Sequence, residues 1–321
     1  MLDQVHLPPL AQDFLAYLSL EKRYSPHTVQ SYSLDLSQFF QYIQEQYGGI
    51  ALESVKAAHV QSWLDLGLEG HKKAEDAHKR TQPPASAVTI RRKMSALKSF
   101  FKYALRKGAV KQSPMARVSG PKLPGRLPVF VDEHVMEKVE ANQAGEEMPL
   151  FSDGFAGATQ RMILRLLYHA GIRRAELTGL RDGSIDFSNG HMKVLGKGNK
   201  ERIIPLGTTV LQELREYIAL RDAEFPGYGG EALLVTVHGK AVQAWDVYRT
   251  VRRALAQVTT LKKRSPHVLR HTFATHLMNN GADINAVKEL LGHASLASTQ
   301  VYTHNTIEKL RRVHEQAHPR G

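Results

Sequence analysis

The chain has 321 residues and carries 43 lysines and arginines against 31 aspartates and glutamates, an excess shared equally by residues 1–120 and 121–321. A basic surface in both halves suits a polyanionic partner, most commonly nucleic acid. The absence of cysteine excludes disulfide bonds, thiolate metal sites and a cysteine nucleophile. Neither a signal peptide nor the roughly 18–20 apolar residues of a membrane span is visible, so we expect a soluble, cytoplasmic protein of two domains.

The first part of the chain predicts a small bundle of four helices. Two of them are expected at about residues 8–21 and 57–66, from their apolar spacing. A longer one lies between them in "SPHTVQSYSLDLSQFFQYIQEQYGG", which starts at Ser25. Serine followed by proline is typical of a helix start, and the closing glycine pair is typical of a helix end.

The fourth helix, "SAVTIRRKMSALKSFFKYALRKG", has an apolar stripe and a wholly basic opposite face. The stripe comprises Ile90, Met94, Leu97, Phe101, Ala104 and Leu105. The basic face comprises Arg91, Arg92, Lys98, Lys102, Arg106 and Lys107, of which we take the first five as candidate DNA-binding residues. A solvated face, the alternative, usually mixes both signs of charge, whereas a wholly basic one suits phosphates or the major groove.

Two segments between the predicted helices have no apolar periodicity. The stretch from Gly67 to Ala85 is polar and charged, which predicts a flexible loop. Residues 113–128, "SPMARVSGPKLPGRLP", contain four prolines and two glycines. We therefore predict a DNA-binding helical domain over residues 1–112, a linker over 113–128 and a second domain over 129–321.

The second domain has a mixed pattern of helices and a little strand. The stretch "HMKVLGKGNKERIIPL" predicts two short strands around a Gly-Lys-Gly-Asn turn. Residues 141–158 have the composition of a looser insertion. Helices are predicted at residues 132–141, 158–171, 174–180, 208–223 and 243–258, and from about residue 267 onward.

The segment "SPHVLRHTFATHLMNNG" combines a helix start with two side chains suited to an anion. Ser265 and Pro266 begin the helix, so His267 and Arg270 lie on one face near its amino end, where free N–H groups and the helix dipole favour negative charge. The opposite side is expected to be buried. It comprises Phe273, Leu277 and Met278.

A metal site is the main alternative for this helix, because His267 and His271 are four residues apart. Zinc proteases, however, carry glutamate where Val268 stands, and two-metal phosphate chemistry needs clustered carboxylates that this segment lacks. We therefore predict no metal ion and expect His271 and His276 to be structural.

Three other segments carry candidate functional residues, each with a plainer alternative. Arg173 and Glu176 in "GIRRAEL" are three residues apart, as in an ordinary intrahelical ion pair. Lys197 lies at the predicted hairpin tip, where a solvated lysine is common. His293 and Tyr302 lie in "LGHASLASTQVYTH", where few apolar residues surround the tyrosine, although a half-buried structural tyrosine is the alternative.

Together these residue types suit phosphoryl transfer by a covalent route. A tyrosine hydroxyl that attacks a phosphodiester builds a phosphorane with extra negative charge, which guanidinium groups neutralise with permanently cationic donors. Imidazoles move protons near pH 7, and a lysine can protonate the departing 5′ oxygen. The phosphotyrosine ester keeps the energy of the broken bond, so we expect no nucleotide or other cofactor.

The blocks "GIRRAEL", "VLGKGNKERIIPL", "SPHVLRHTFATHL", "GADINAVKELLGHASLASTQVYTH" and the closing "AHPRG" resemble the tyrosine recombinase (phage integrase) family, specifically the Xer-type site-specific recombinases of bacteria. The resemblance covers nearly the whole chain. It implies a mainly α fold with a small β-sheet, in which an N-terminal core-binding (SAM-like) bundle and a C-terminal catalytic domain form a C-shaped clamp on DNA.

The resemblance also implies a role for each candidate residue. The implied set is a phosphate clamp of Arg173 and Arg270, the general acid Lys197, the proton-transfer residue His267, the phosphate ligand His293, the nucleophile Tyr302 and the supporting carboxylate Glu176. The nucleophile would become joined to a 3′ phosphate of DNA.

The implied task is the resolution of chromosome dimers at dif-like sites, by a nucleoid-associated tetramer on two DNA sites that passes through a Holliday junction. The implied partners are double-stranded DNA, a second Xer-type recombinase or further copies of this chain, and a septal DNA translocase of the FtsK type. The terminal stripe of Ile307, Leu310 and Val313 would dock on a neighbouring subunit, or alternatively on its own domain.

Three other functions share parts of this pattern. An integrase of a phage or mobile element has the same chemistry but often adds an N-terminal arm-binding domain. A DNA-binding protein without activity would have lost part of the residue set, and a type IB topoisomerase would lack the exchange tail.

The loop from Gly67 to Ala85 is longer than the corresponding connection of the family.

Overall fold

The computed structural model describes residues 7–69, 84–122, 129–141, 150–196, 201–292 and 304–318. The chain forms two compact units, Met1–Arg126 and Leu127–Gly321, and each has its own apolar core. Among the described residues, no helix combines the length and the apolar character needed to cross a membrane.

The first unit contains the four predicted helices. They are α1 (Pro9–Leu20), α2 (Pro26–Tyr47), α3 (Ala57–Glu69) and α4 (Ala87–Arg106), with a 3-10 turn at Leu52–Ser54. The Ser25 hydroxyl accepts a hydrogen bond from the Thr28 N–H and caps α2, and Gly48 ends it in the left-handed conformation. Fully buried phenylalanines of α1, α2 and α4 meet mostly edge to face at the centre of the bundle.

One member of the predicted apolar stripe of α4 lies outside the core. Leu105 is 38% exposed, whereas the other five residues of the stripe are buried. The physical reason is its position directly after Ala104, because each step along an α-helix turns the side chain by about 100°. The prediction for Leu105 was therefore wrong.

The first part of the predicted linker is folded. Pro114–Arg117 form a 3-10 helix, and Met115 and Val118 are buried in the first core. The Arg91 Nε donates to the Pro121 carbonyl at 3.1 Å. Apolar contacts therefore attach residues 113–122 to the first unit, and residues 123–128 lie outside the described residues.

Most of the predicted loop between Gly67 and Ala85 also lies outside the described residues. Its two ends are joined, because the Ala85 N–H donates to the Gly67 carbonyl at 2.8 Å. The predicted insertion is described only from residue 150, and part of it belongs to a helix that begins at Gly154, four residues before the predicted start.

In its described residues, the second unit contains eight helices and a three-stranded sheet. The helices are α5 (Glu133–Ala141), α6 (Gly154–His169), α7 (Arg174–Thr178), α8 (Thr208–Glu224), α9 (Ala244–Val258), α10 (Pro266–Asn279), α11 (Ile284–Leu291) and α12 (His304–Ala317), with a 3-10 turn at Asp182–Ser184. The strands β1 (Ile185–Asp186), β2 (His191–Leu195) and β3 (Glu201–Pro205) pair antiparallel in the order β1-β2-β3. Helices α11 and α12 pack against β3. The two strands of the predicted hairpin, β2 and β3, are confirmed. Strand β1 was not predicted, because two residues are too few to produce an alternating pattern of apolar and polar residues.

Helix α10 lies in the core of the second unit, against α6. Phe273 and Leu277 are fully buried as predicted, but Met278 is 43% exposed, since it follows Leu277 directly and turns away from the core. Helix α12 packs on its own unit against β3, α10 and α11, with Leu310 buried and Val313 half-buried. The side chain of Ile307 lies outside the described residues.

Candidate active site

The site begins at the turn between α6 and α7. Gly171 has φ +56°, and a Cβ there would lie 2.3 Å from the Phe273 ring. Both the backbone conformation and the lack of space therefore require glycine. The Gly171 carbonyl accepts a hydrogen bond from Arg270 Nη1 at 2.5 Å. Two residues later, Arg173 is the N-cap of α7. The turn therefore brings both predicted phosphate-clamping arginines to one place.

Glu176 is bound by two arginines, Arg173 and Arg202. Its Oε2 accepts from the Arg173 backbone N–H at 2.7 Å, and its Oε1 accepts from Arg173 Nη1 at 2.7 Å. Arg202 of β3 donates to both carboxylate oxygens, each at 2.8 Å. Only 8% of Glu176 is exposed, so this is a buried network and more than the ordinary surface pair that the spacing alone suggests.

Electrostatics keep Glu176 charged despite its burial. Burial raises the pKa of this carboxyl, but the hydrogen bonds and charge of Arg202, followed by those of Arg173, outweigh it and lower the pKa to about 2. A permanent carboxylate holds both guanidinium groups in fixed orientations.

Three consecutive carbonyl groups at the end of α11 complete the cluster. The Leu290 carbonyl accepts from Arg202 Nε at 2.9 Å, the Leu291 carbonyl from Arg270 Nη2, and the Gly292 carbonyl from Arg173 Nη2 at 3.2 Å. The last carbonyls of a helix have no partner within the helix and carry partial negative charge. The three arginines supply the missing donors.

Arg270 and Arg173 differ in exposure. Arg270 is 9% exposed, and burial, followed by the neighbouring charge of Arg173, lowers its pKa to about 9, so it is still cationic at pH 7. The side chain of Arg173 is 35% exposed. Two adjacent cations, one of them open to solvent, favour an anion that offsets their repulsion.

His267 is the second residue of α10 and lies on the exposed side of the cluster. Partial burial, followed by the nearby cations Lys263 and Arg174, lowers its pKa. The imidazole is therefore neutral at pH 7 and able to accept a proton.

Three of the predicted residues, Lys197, His293 and Tyr302, lie outside the described residues. Their roles stay predictions. The described chain leads directly to two of these segments. Leu195 pairs with Glu201 at the turn end of the hairpin, and Gly292, which is held by Arg173, immediately precedes His293.

The two remaining histidines of α10 differ, and His276 is the one with the buried contacts of a structural side chain. His276 is buried, with its ring nitrogens 2.9 Å from the Tyr168 hydroxyl and 2.9 Å from the Val131 carbonyl. His271 is exposed on the surface of the helix.

Arg202 is the residue that the sequence analysis missed. It is 5% exposed and bonded through Nε, Nη1 and Nη2. A signal was available, because Arg202 is two residues before the buried Ile204 of the same strand and therefore lies on the same face of β3.

The basic face of α4, in the first unit, divides into two kinds of residue. Lys98 and Lys102 are exposed. Arg92 binds the fully buried Asp35 carboxylate and the Ser31 carbonyl. The other two candidates also have intramolecular partners: Arg91 bonds to the Pro121 carbonyl, and Arg106 lies 4.2 Å from the centre of the Tyr17 ring.

Comparison with family models matches both units. The model described as the phage integrase family matches residues 136–309. The model described as the phage integrase N-terminal SAM-like domain matches residues 11–108.

Relatives named tyrosine recombinase XerC match over most of their length. The tyrosine recombinase XerC of Chlorobaculum parvum is 36% identical over 323 residues, which cover 96% of this chain and 94% of the relative. That of Pelotomaculum thermopropionicum is 36% identical over 315 residues, covering 96% and 97%.

Solved structures share the fold. XerH site-specific recombinase bound to a palindromic difH substrate has a TM-score of 0.67 at 21% identity, covering 94% of this chain and 83% of the other. The Tn1549 transposon integrase in complex with transposon right end DNA has a TM-score of 0.62 at 19% identity, covering 94% and 98%.

Proposed function

The chain belongs to the phage integrase family of tyrosine recombinases and is a Xer-type, DNA strand-exchange recombinase, and from this premise we propose that it cleaves DNA through a covalent 3′-phosphotyrosine intermediate. The observation that carries the proposal is the pair of guanidinium groups, Arg173 and Arg270, fixed beside each other at the end of α11. Such preorganised donors stabilise negative charge that develops in a transition state.

In the proposed step, the Tyr302 Oη forms a bond to the scissile phosphorus while the bond from phosphorus to the 5′ oxygen breaks. His267 accepts the phenolic proton, and Lys197 gives a proton to the departing 5′ oxygen. Arg173, Arg270 and His293 bind the non-bridging oxygens. The step reverses when the 5′ hydroxyl of another strand attacks the phosphotyrosine, because no bond energy has been lost to water.

The experiment that tests the nucleophile uses a nicked suicide substrate, which traps the covalent adduct. We expect Tyr302→Phe to bind the DNA site as the wild type does and to form no adduct. Peptide mapping of the wild-type adduct should find the nucleotide on Tyr302. An undiminished yield from the phenylalanine variant would contradict the assignment.

The proposed chemistry needs neither a metal ion nor a nucleotide. We expect cleavage of the same substrate to proceed at an unchanged rate in excess EDTA and without ATP. Abolition by the chelator, with recovery on adding a divalent ion, would instead favour a metal-dependent mechanism.

We further propose that the biological task is resolution of chromosome dimers at a dif-like site, by a tetramer that includes a second Xer-type recombinase and works with a septal DNA translocase. The full-length similarity to proteins named XerC supports this task. Mapping the DNA protected by the purified protein across its own genome tests it. A single chromosomal site is expected, whereas sites at the ends of a mobile element would favour an integrase.

A further inference from the structure

We propose that Arg202 is a positioning residue of the recombinase, which holds the Arg173–Glu176 pair and the end of α11 in one arrangement. The inference rests on the proposed function, because the arrangement matters for cleavage only if Arg173 binds the scissile phosphate. Arg202 itself does not touch DNA in this proposal. Its guanidinium is directed into the protein, where Nε, Nη1 and Nη2 all have partners.

The contacts of Arg202 join three separate parts of the chain. It belongs to β3, it binds both oxygens of Glu176 in α7, and it binds the Leu290 carbonyl in α11. In the chain, β3 follows Lys197, α7 follows Arg173, and α11 precedes His293. No other described side chain is shown bonding to both Glu176 and α11 apart from Arg173, which is 35% exposed where Arg202 is buried.

The carbonyls at the end of α11 give the reason why an arginine is needed behind the site. Leu290, Leu291 and Gly292 present their carbonyls to Arg202, Arg270 and Arg173 in that order. In the proposed cleavage step, Arg173 and Arg270 share their N–H donors between α11 and the bound phosphate. Arg202 lies too deep to turn, so its bond to Leu290 keeps the helix end in place.

The shape of the chain around Arg202 supports a specific fit. Gly292 has φ +64°, and a Cβ there would lie 3.0 Å from Arg202 Cδ. The residue before His293 therefore lies directly against the Arg202 side chain. A lysine would place one ammonium group where arginine has a planar fork, so it cannot serve both carboxylate oxygens and the carbonyl with the same geometry.

The test compares Arg202→Met with a matched control, Arg221→Met, in the full-length chain. Arg221 is also buried, and it also binds both oxygens of a carboxylate, that of Asp182, at 2.7 Å each, together with the Leu233 carbonyl at 3.1 Å. None of these partners belongs to the candidate site. Both variants lose a buried arginine from the same unit, so both are expected to lower the melting temperature.

The measurement is the single-turnover rate of adduct formation on a nicked substrate with saturating protein, at a temperature where circular dichroism shows both variants folded. We expect Arg202→Met to lower this rate by about 10–100-fold, as the loss of an orienting group typically does, with the DNA dissociation constant within about threefold. Arg221→Met should keep the wild-type rate within about threefold. Arg202→Lys, which keeps the charge beside Glu176, serves if the methionine variant does not fold and should show a smaller loss.

A second substrate tells positioning from general damage. Replacing one non-bridging oxygen of the scissile phosphate by a methyl group removes the charge that Arg173 binds. If Arg202 acts through Arg173, the defects of Arg202→Met and Arg173→Ala should both shrink on this substrate. An equal rate loss in Arg221→Met, an undiminished rate in Arg202→Met and Arg202→Lys, or a defect unchanged by the methyl group would overturn the proposal. Failure of the wild type to form an adduct at Tyr302 would instead overturn the proposed function.

Discussion

The two units place their positive charge differently. In the second unit, Arg202 and Arg270 are buried, and each donates to fixed carbonyl or carboxylate oxygens. In the first unit, Lys98 and Lys102 of α4 are exposed on the surface of a helix. The cations of the candidate site are therefore fixed by internal partners, whereas these two lysines of α4 are exposed to solvent.

The difference separates two tasks of a recombinase. Preorganised donors in a partly dehydrated site stabilise a transition state, because they need no reorganisation when negative charge develops. Exposed lysines on long side chains neutralise phosphates over a wide area and displace counterions, which gives affinity that falls with salt. We therefore expect substitutions in the second region to alter the rate of cleavage and those in the first to alter binding.

The largest effect is expected from Arg270→Ala or Arg173→Ala. Removing one preorganised donor costs roughly 10²–10³ in rate, so single-turnover cleavage should slow by at least that factor. Binding of the DNA site, measured by gel shift, should change far less. Equal losses of rate and of affinity would remove the contrast between the two units.

Arg92→Met tests a basic residue of α4 that has a buried internal partner. Its removal leaves the buried Asp35 carboxylate without its cation, which should lower the free energy of unfolding of the first unit by about 2–3 kcal/mol. Burial already raises the pKa of Asp35, and loss of Arg92 raises it further.

The sign of the pH dependence follows from this raised pKa. Because Asp35 takes up a proton more readily in the folded than in the unfolded state, lowering the pH stabilises the folded state. The loss of unfolding free energy caused by Arg92→Met should therefore be smaller at pH 5 than at pH 7.5. Urea unfolding followed by circular dichroism measures it. In an Asp35→Asn background, the same substitution should cost much less, and an unchanged cost would show that the charge pair is not the cause.

Lys98→Ala and Lys102→Ala should weaken DNA binding and leave chemistry intact. Each variant should reduce the slope of log affinity against log salt by about 1, with an affinity loss of a few-fold at physiological salt. The cleavage rate at saturating protein should match the wild type. Arg92→Met is the control, since its slope should stay unchanged, and a changed slope would assign Arg92 to the DNA surface.

The smallest effect concerns a buried histidine in the second unit. His314 of α12 is buried beside His169 and His318, and its Nε2 lies 2.8 Å from the His169 carbonyl. Burial lowers its pKa to about 4. The Glu140 carboxylate contacts the neighbouring His169, with Oε1 2.5 Å from the ring Nε2.

Because the pKa of His314 is lower in the folded state than its ordinary value of 6.5, the packed helix is most stable at pH values above 6.5. This contribution to stability is lost as the pH falls below 6.5. Hydrogen exchange in α12, corrected for intrinsic rates, should be about tenfold faster at pH 5.5 than at pH 7.5. His314→Gln keeps a donor for the His169 carbonyl but does not titrate, so it should reduce this ratio. A ratio that is the same in both proteins would exclude His314 as the cause.

The local chemistry of the chain predicted most of the fold. Ser25 and Pro26 start a helix wherever they precede apolar periodicity, and the glycine pair that ends it tolerates the left-handed conformation. The hairpin of β2 and β3 was predictable for the same reason, because its turn residues and alternation are local. The burial of single residues such as Leu105 and Met278 was predicted wrongly, since the edge of an apolar stripe depends on where the neighbouring helices lie.

The residue types by themselves predicted the class of chemistry, because a tyrosine together with arginines, histidines and a lysine suits a covalent attack on a phosphodiester. The spacing of Arg173 and Glu176 also fixed their contact. The tertiary structure alone decided that Arg202 joins them and that three arginines meet the last carbonyls of α11. These partners lie 21 to 119 residues apart in the chain, and no local periodicity records which buried charge will meet which carbonyl.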